Sequence, residues 1–548
     1  MPGSTFEYDV LICGGGLAGL SLARQLQLQP ETRQCRLAIV DRYELPGDGR
    51  QKVGESTVEA GAHYLAETLQ LRNLLETKHL RKNGLRFIPG GGRSLAQRPE
   101  IGPLAYPRLP SYQIDRPSFE ADLLRLIVED GADLFTGMIV EDIDLATGGT
   151  HRVACRRRND RASLELRGRW VIDALGRRRF LQQKLGLARP VRHQAGAAWF
   201  YVSTAVDLSR LSTDPRWRSS DPDGVRRYST NHLIGAGYWL WLIPLAGGRT
   251  SVGLVFDATH DVAELRDVDR LRGWLRSHEP EVALALERET FHDFKVLKSI
   301  SYGTARLFHE NRWCCTGEAA LFLDPFYSYG TDFIAVENSL ITEMIRRDVR
   351  AEADEDLIPA ANDYVLDFAD ALDAAFVGLY ASFNNPRAFP ARTYWDTLFY
   401  WSCPAAIKIH GWYREPAVLR HTSVRRFFAL HREVQGIFHA WTARSAVGGE
   451  SAGTPAFFPL PARGSYLSDL HGELCGRPPA CAEDWLRERL AYAEEVAAVL
   501  RRRMQETGDI NDPALLRAQT ELRYMYGEMD EAHFENVKVL QRTLSQLI

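Results

Sequence analysis

Apolar residues along the chain change their period several times, and each change predicts a different element. Residues 8–13 (YDVLIC) are a short run of strand formers. GGGLAG follows, and residues 20–29 then repeat Leu and Ala at helical spacing. Residues 36–41 (RLAIVD) read as a second buried strand, so the N-terminal stretch predicts a strand–helix–strand unit. Residues 50–87 read as helix-rich and residues 89–110, rich in Gly and Pro, as loops. Residues 112–135 read as a turn into a helix, and RGRWVIDALGRRRF (167–180) as a strand ending in a glycine turn. Between about 190 and 300 short apolar and polar runs alternate, which predicts an antiparallel sheet. Within it, YWLWLIP (238–244) forms one arm of a hairpin with Gly247 and Gly248 near the turn.

From about Leu340 the pattern becomes helical, and residues 483–505 and 513–544 predict long amphipathic helices. The fold class expected is α/β: a Rossmann-like nucleotide-binding domain with an inserted antiparallel sheet for substrate, then a helical C-terminal region. The division is placed at 1–345 and 346–548, within a boundary zone of about 340–365. No internal repeat or low-complexity tract interrupts this scheme.

Composition narrows the partners more than the fold. Lys plus Arg total 67 against 71 for Asp plus Glu, so neither a nucleic acid nor a membrane surface is implied. The eight cysteines are scattered and contain no CxxC, which suits reduced thiols. No apolar run is long enough to span a bilayer and no leader pattern is seen, so a cytoplasmic protein is expected. His471, Cys475 and Cys481 in HGELCGRPPAC do not have zinc spacing. They read as a loop, and no metal site is expected.

Gly14, Gly16 and Gly19 fit GxGxxG, follow a strand, open a helix, and are answered by Asp41 at the end of the next strand. Glycines let the backbone approach a pyrophosphate, the helix N-terminus favours its charge, and a carboxylate accepts from ribose hydroxyls. This pattern predicts a dinucleotide rather than a merely Gly-rich turn. Two later stretches, VIDALGR (171–177) and TGEAALFLDP (316–325), resemble signatures of flavin monooxygenases of the para-hydroxybenzoate hydroxylase type. That resemblance implies FAD, with Glu318, Asp324 and Pro325 beside it. Many relatives have Asp where this chain has Glu318.

Trp239 and Trp241 stand two apart on a strand and so share a face. Core packing would explain an arbitrary Trp-x-Trp. Here the complete WxWxIP motif, Trp239 through Pro244, resembles the signature of the flavin-dependent halogenases. VGESTV (53–58), with Glu55 and Ser56, looks like that family's flavin-side strap, and KNGLRF (82–87) resembles the segment carrying its catalytic lysine, Lys82. The resemblance covers roughly residues 5–340. It implies that reduced FAD from a separate flavin reductase, oxygen, and chloride or bromide yield hypohalous acid. This oxidant passes a tryptophan wall to Lys82 and a separate substrate. Ser328 would belong to the catalytic loop, with Tyr329 and Gly330 holding the halide through backbone N–H groups.

Two positions depart from the pattern. Glu59 stands where relatives often have proline. Tyr327 stands where tryptophan halogenases carry a glutamate that takes up charge or a proton, and a tyrosine is a poor base at neutral pH. Substrates with their own electron push, phenols, pyrroles or an acidic carbon beside a carbonyl, need less help. The substrate could be free or tethered to a carrier protein. Residues 392–413, dense in aromatics, read as helical core, with a pocket wall as the functional option. The other readings are a flavin hydroxylase of the same fold and a non-catalytic flavin-binding partner in a biosynthetic assembly.

Overall fold

The computed structural model describes residues 6–44, 52–221, 223–352, 355–385, 388–448, 457–505 and 516–525. The strand Phe6–Cys13 is fully buried from Val10 onward. It pairs in parallel with Leu37–Val40 on one side and Ser163–Asp173 on the other. Trp313–Cys315 and Asp133–Phe135 extend this parallel sheet at either side. The helix Leu17–Leu28 leaves the end of the first strand, and Arg116–Glu129 packs beside it. Arg116–Glu129 is started by Asp115, whose carboxylate accepts from Ser118 N–H, and by proline in its first turn. The Rossmann-like domain expected from the sequence is therefore present.

The second sheet has eight strands, ordered His292–Leu297, Gly196–Val202, Arg249–Phe256, Tyr238–Leu245, Thr230–Gly235, Leu85–Pro89, Glu100–Gly102 and Phe457–Pro459. Its first five strands are antiparallel and lie within the region expected. The hairpin of Tyr238–Leu245 with Arg249–Phe256 turns through Gly247 and Gly248, both at positive φ.

Three features differ from the sequence reading. Residues 80–89 are not helical: Leu80–Lys82 and Leu85–Pro89 are strands, and the second joins the sheet by parallel pairing with Thr230–Gly235. The sheet is thus not confined to residues 190–300, which also hold the helices Val268–His278 and Pro280–Ala285. The helical region begins at Gly330, because the helix Gly330–Val349 runs unbroken across the 345/346 division, and the same region returns Phe457–Pro459 to the sheet. Of the long C-terminal helices, Ala482–Gln505 and Leu516–Met525 are formed; residues 526–544 lie outside the described residues. Among the described residues no helix is long and apolar enough to cross a membrane.

The added edge of the sheet is fixed by charge. Glu100, on its short strand, accepts from both Arg86 and Arg226, the latter with Nη2 at 2.6 Å, and all three side chains are at most 6% exposed. Glu100→Gln would leave two buried guanidinium groups without a counter-charge. It should destabilise the protein by about 3–5 kcal/mol, read as a lower urea midpoint at unchanged slope.

Candidate active site

The turn between the first strand and helix is built for a close ligand. Gly14 sits at φ +122°, and a Cβ there would lie 2.1 Å from the Ala174 carbonyl oxygen. A Cβ on Gly19 would meet the Gly14 carbonyl at 2.0 Å, whereas one on Gly16 would point into open space. The Gly15 N–H donates to Asp41 Oδ2 at 2.7 Å and Tyr43 N–H to Oδ1 at 2.8 Å, so the carboxylate is fixed across the turn. The fit is that of a pyrophosphate over Gly16 with a ribose toward Asp41.

A cavity of about 220 Å³, lined by Leu17 at the end of this turn, lies against the second sheet. Glu55, Ser56, Glu318, Asp324, Pro325, Ser328, Tyr329 and Gly330 line it, as do Trp239 and Trp241. Every proposed cofactor residue outside the glycine turn and Asp41 therefore meets in one space. Burial raises the Glu55 carboxyl above its ordinary value, although Tyr201 donates to it at 2.7 Å. Glu318 is likewise raised by burial, with Arg177 and Arg116 opposing. Asp324 Oδ2 is held at 2.8 Å by both His193 and Tyr380, and Tyr380 in turn accepts from the Trp239 indole N–H at 3.1 Å.

A second cavity, of about 340 Å³, lies beyond an aromatic partition. Phe87 lines the second cavity and stacks on Phe326 (centroids 5.1 Å apart), and Phe326 meets Trp239, which lines the first cavity, edge-on at 5.3 Å. Trp239 and Trp241 stand side by side, centroids 5.7 Å apart, as the strand period requires. The partition is crossed by a hydroxyl seam. Lys82 Nζ donates to Ser56 Oγ at 2.8 Å and to the Thr57 carbonyl at 2.7 Å, and Ser328 Oγ–H donates to the same Ser56 Oγ at 3.0 Å. Lys82 lines the second cavity, whereas Ser56 and Ser328 line the first. Ser328 holds a left-handed conformation (φ +62°), uncommon for a residue with a side chain and of the kind kept at functional sites. Directly after it the first N–H groups of the helix Gly330–Val349 have no preceding turn to pair with.

Lys82 is fully buried, while its neighbours Lys78 and Arg81 are exposed. Burial pushes its ammonium down from 10.5 to about 7, against the pull of Glu59 and Asp332. Asp332 is pushed up to about 7 by burial, though Tyr400 and the Gly61 N–H donate to it. A Cβ on Gly61 would lie 2.8 Å from Asp332 Oδ1, so the helix Glu59–His63 can press onto the helix Gly330–Val349 only with glycine there.

The far side of the second cavity comes from the C-terminal region: Asp396, Thr397, Tyr400 and Trp401 of the helix Ala388–Ser402, then residues 460–471. The aromatic stretch 392–413 is therefore both buried core and pocket wall. His471 is not in a loop. It lies on the helix Tyr466–Leu474, faces this cavity, and is 3.6 Å from Glu59. Tyr327 also faces it and donates to Asp396 at 2.6 Å. Asp396, Asp332 and Tyr400 are missing from the sequence-based site, since they fall outside the motifs that carry the resemblance. Leu104, Tyr106, Arg108 and Arg463 are exposed at the mouth.

No family model matches the chain. It is 27% identical over 387 residues to the flavin-dependent halogenase chlA of Dictyostelium discoideum, covering 65% of this chain but only 62% of that relative's length. It is 25% identical over 346 residues to a 1H-pyrrole-2-carbonyl-[peptidyl-carrier protein] chlorinase of Pseudomonas fluorescens, covering 60% of this chain and 73% of that one. The crystal structure of halogenase PltM in complex with phloroglucinol and FAD superposes with a TM-score of 0.62 at 16% identity, over 95% of this chain and 96% of that one, which speaks for the fold.

Two outcomes follow from this geometry. Gly16→Leu sets its Cβ into the open space over the turn, so the purified variant should fold with parental circular dichroism yet lack flavin absorbance. Lys82 keeps its ordinary value when unfolded, so between about pH 7 and 10 the unfolded chain binds the extra proton, and this group's contribution to stability rises with pH over that window. Lys82→Met removes the contribution. Its stability relative to the parent in urea should be greatest below pH 7 and decline toward pH 10.

Proposed function

We propose, from the premise that the chain is a relative of the flavin-dependent halogenases, that it halogenates an electron-rich ring of the phenol or pyrrole type with hypohalous acid. The observation that carries the reading is the seam Lys82–Ser56–Ser328, which runs between two cavities that share Tyr329 as a lining residue. When bound and reduced, FAD supplies the oxygen-activating chemistry that turns halide into hypohalous acid. Gly14, Gly16, Gly19 and Asp41 hold the dinucleotide, and Glu55, Ser56, Glu318, Asp324 and Pro325 surround the reactive end. Ser328 shapes the loop, so that the N–H groups of Tyr329 and Gly330 present positive charge to chloride or bromide. Trp239 and Trp241, with Phe326 and Phe87 behind them, keep the ring from the flavin.

Lys82 receives the oxidant on the far side. With its ammonium pushed to about 7, part of the population carries a free amine that can take up halogen or hydrogen-bond the acid. The ring enters past Leu104, Tyr106, Arg108 and Arg463, a mouth open enough for a free molecule or for one on a carrier. One relative acts, by its name, on a pyrrole-2-carbonyl group held by a peptidyl carrier protein. Supply of reduced flavin is assigned to a separate reductase by analogy with the family, and the sequence carries a single GxGxxG turn.

The test is to incubate the protein with a flavin reductase, FAD, NADH, oxygen and bromide, offer phenols and pyrroles, and look for the bromine isotope doublet by mass spectrometry. Lys82→Ala should keep flavin binding and oxygen uptake but lose product about a thousandfold, roughly 4 kcal/mol of transfer barrier. Lys82→Arg should not restore it, because guanidinium stays protonated. Halogenation by Lys82→Ala at near the parental rate would remove Lys82 from the reaction. NADH oxidation by the protein alone, stimulated by substrate without halide, would favour a hydroxylase.

A further inference from the structure

Halogenating a ring carbon creates a proton that something must take. The carbon–halogen bond forms as the halogen leaves Lys82 or the hypohalous oxygen, the ring becomes cationic, and the carbon–hydrogen bond then breaks with its electron pair returning to the ring. In this chain the acid expected at position 327 is a tyrosine, and an extra acid stands at Glu59. The fold brings both departures, with Lys82, into one cavity.

The candidate acceptors in that cavity are not equivalent. Burial pushes the phenols of Tyr327, Tyr329 and Tyr400 well up, so none gives up its proton readily, and Tyr327 and Tyr400 already donate to Asp396 and Asp332. Asp396 has both oxygens engaged, Oδ1 by the Gln435 amide at 2.7 Å and Oδ2 by the Tyr327 hydroxyl at 2.6 Å. Glu59 has a looser side-chain partner, His471 Nε2 at 3.6 Å; its side chain lines the cavity and keeps 13% of its surface accessible. Burial raises its carboxyl, but His471, its own backbone N–H and Lys82 bring the balance below the ordinary value, so it is ionised and ready to accept. His471 Nε2 is itself buried without a hydrogen bond, and its ring packs on Trp401 with centroids 4.6 Å apart.

Resting on the halogenase reading, we propose that Glu59 is the base that takes the ring proton, with His471 behind it as the group that steadies or relays that proton. The C–H electron pair stays with the ring, the proton goes to Glu59 Oε, and the hypohalous acid is the oxidant consumed, its oxygen leaving as hydroxide that becomes water, or the Lys82 amine leaving where water was lost on forming its nitrogen–halogen bond. The far wall of the pocket thereby has a chemical task as well as a structural one. Glu59 and Lys82 divide the work of delivering halogen and removing hydrogen.

The experiment uses the full-length protein with FAD, reductase, NADH, oxygen and bromide, and resorcinol with or without ring deuterium as the probe. A thiol trap in solution reports escaping hypobromous acid. Glu59→Gln should bind flavin normally, release trapped oxidant, and make bromoresorcinol about 10²-fold more slowly. Proton loss should now limit the rate, so the ring-deuterium isotope effect should rise from about 1 in the parent to above about 2. Formate should partly restore Glu59→Ala, which a purely structural loss would not allow. Parental product formation by Glu59→Gln, or a loss with neither isotope effect nor formate rescue, would overturn the assignment. An isotope effect appearing in Tyr327→Phe and not in Glu59→Gln would overturn it too, in favour of a relay through Asp396. A parent that yields neither brominated product nor trapped oxidant would instead sink the halogenase reading itself.

Discussion

Ser56 Oγ, which also bonds the Thr230 hydroxyl at 2.8 Å, accepts from two groups that face different spaces, the Lys82 ammonium and the Ser328 hydroxyl, and the arrangement of the site depends on that shared oxygen. It forces three distant segments together. The strap must run extended beside Ser111–Gln113, which the bridge between Ser56 and Gln113 secures. Lys82 must end a short strand paired to that same segment, and Ser328 must adopt a left-handed turn to aim its side chain back. A buried lysine with one hydroxyl and one carbonyl as neighbours has too few partners to pay for a full charge, which is why its ammonium is weakened to about 7. The same scarcity makes it useful, because an amine free part of the time can react where a solvated ammonium cannot.

Around the seam the partition is apolar. Phe87, Phe326 and Trp239 are stacked or edge-on in sequence, with His232, pushed down to about 3 by burial and so neutral, filling the side. The polar groups between the two cavities are the hydroxyls of Ser56 and Ser328 and the Lys82 ammonium. The helical C-terminal region supplies Tyr380, which ties Trp239 to Asp324, and forms the outer side of the second cavity.

How much of this was legible in the sequence follows from the range of the interactions. The GxGxxG turn, Asp41, the capped helix Arg116–Glu129 and the tryptophan hairpin are local patterns, and each lies where its spacing puts it. The strands Leu80–Lys82 and Glu100–Gly102 were not legible. They are too short for alternation to register, and their pairing partners lie far along the chain. Lys82 sits among basic residues that suggest a surface, and its burial is decided by the strap, whose Ser56 and Thr57 it bonds. His471 next to Cys475 suggested a loop, yet Ser465, whose hydroxyl accepts from Ser468 N–H, starts a helix there. Asp396 lay inside an aromatic stretch whose pattern speaks of core. A carboxylate held by Gln435 and Tyr327 is visible only once the helices are packed.

Two ionisable groups line one cavity and are driven in opposite senses. Burial brings Lys82 down to about 7, so part of its population is uncharged, and Glu59 keeps its charge because His471 and its own N–H offset burial. If both were fully solvated, they would hold each other as an ordinary ion pair, and neither would be free to react. Separating their environments while keeping both on one wall leaves a nucleophile and a proton acceptor available at the same pH. A site that delivers halogen and removes hydrogen needs that combination. On the proposed division of work the proton acceptor stands on the helix Glu59–His63, and Tyr327, which faces the same cavity, donates to Asp396.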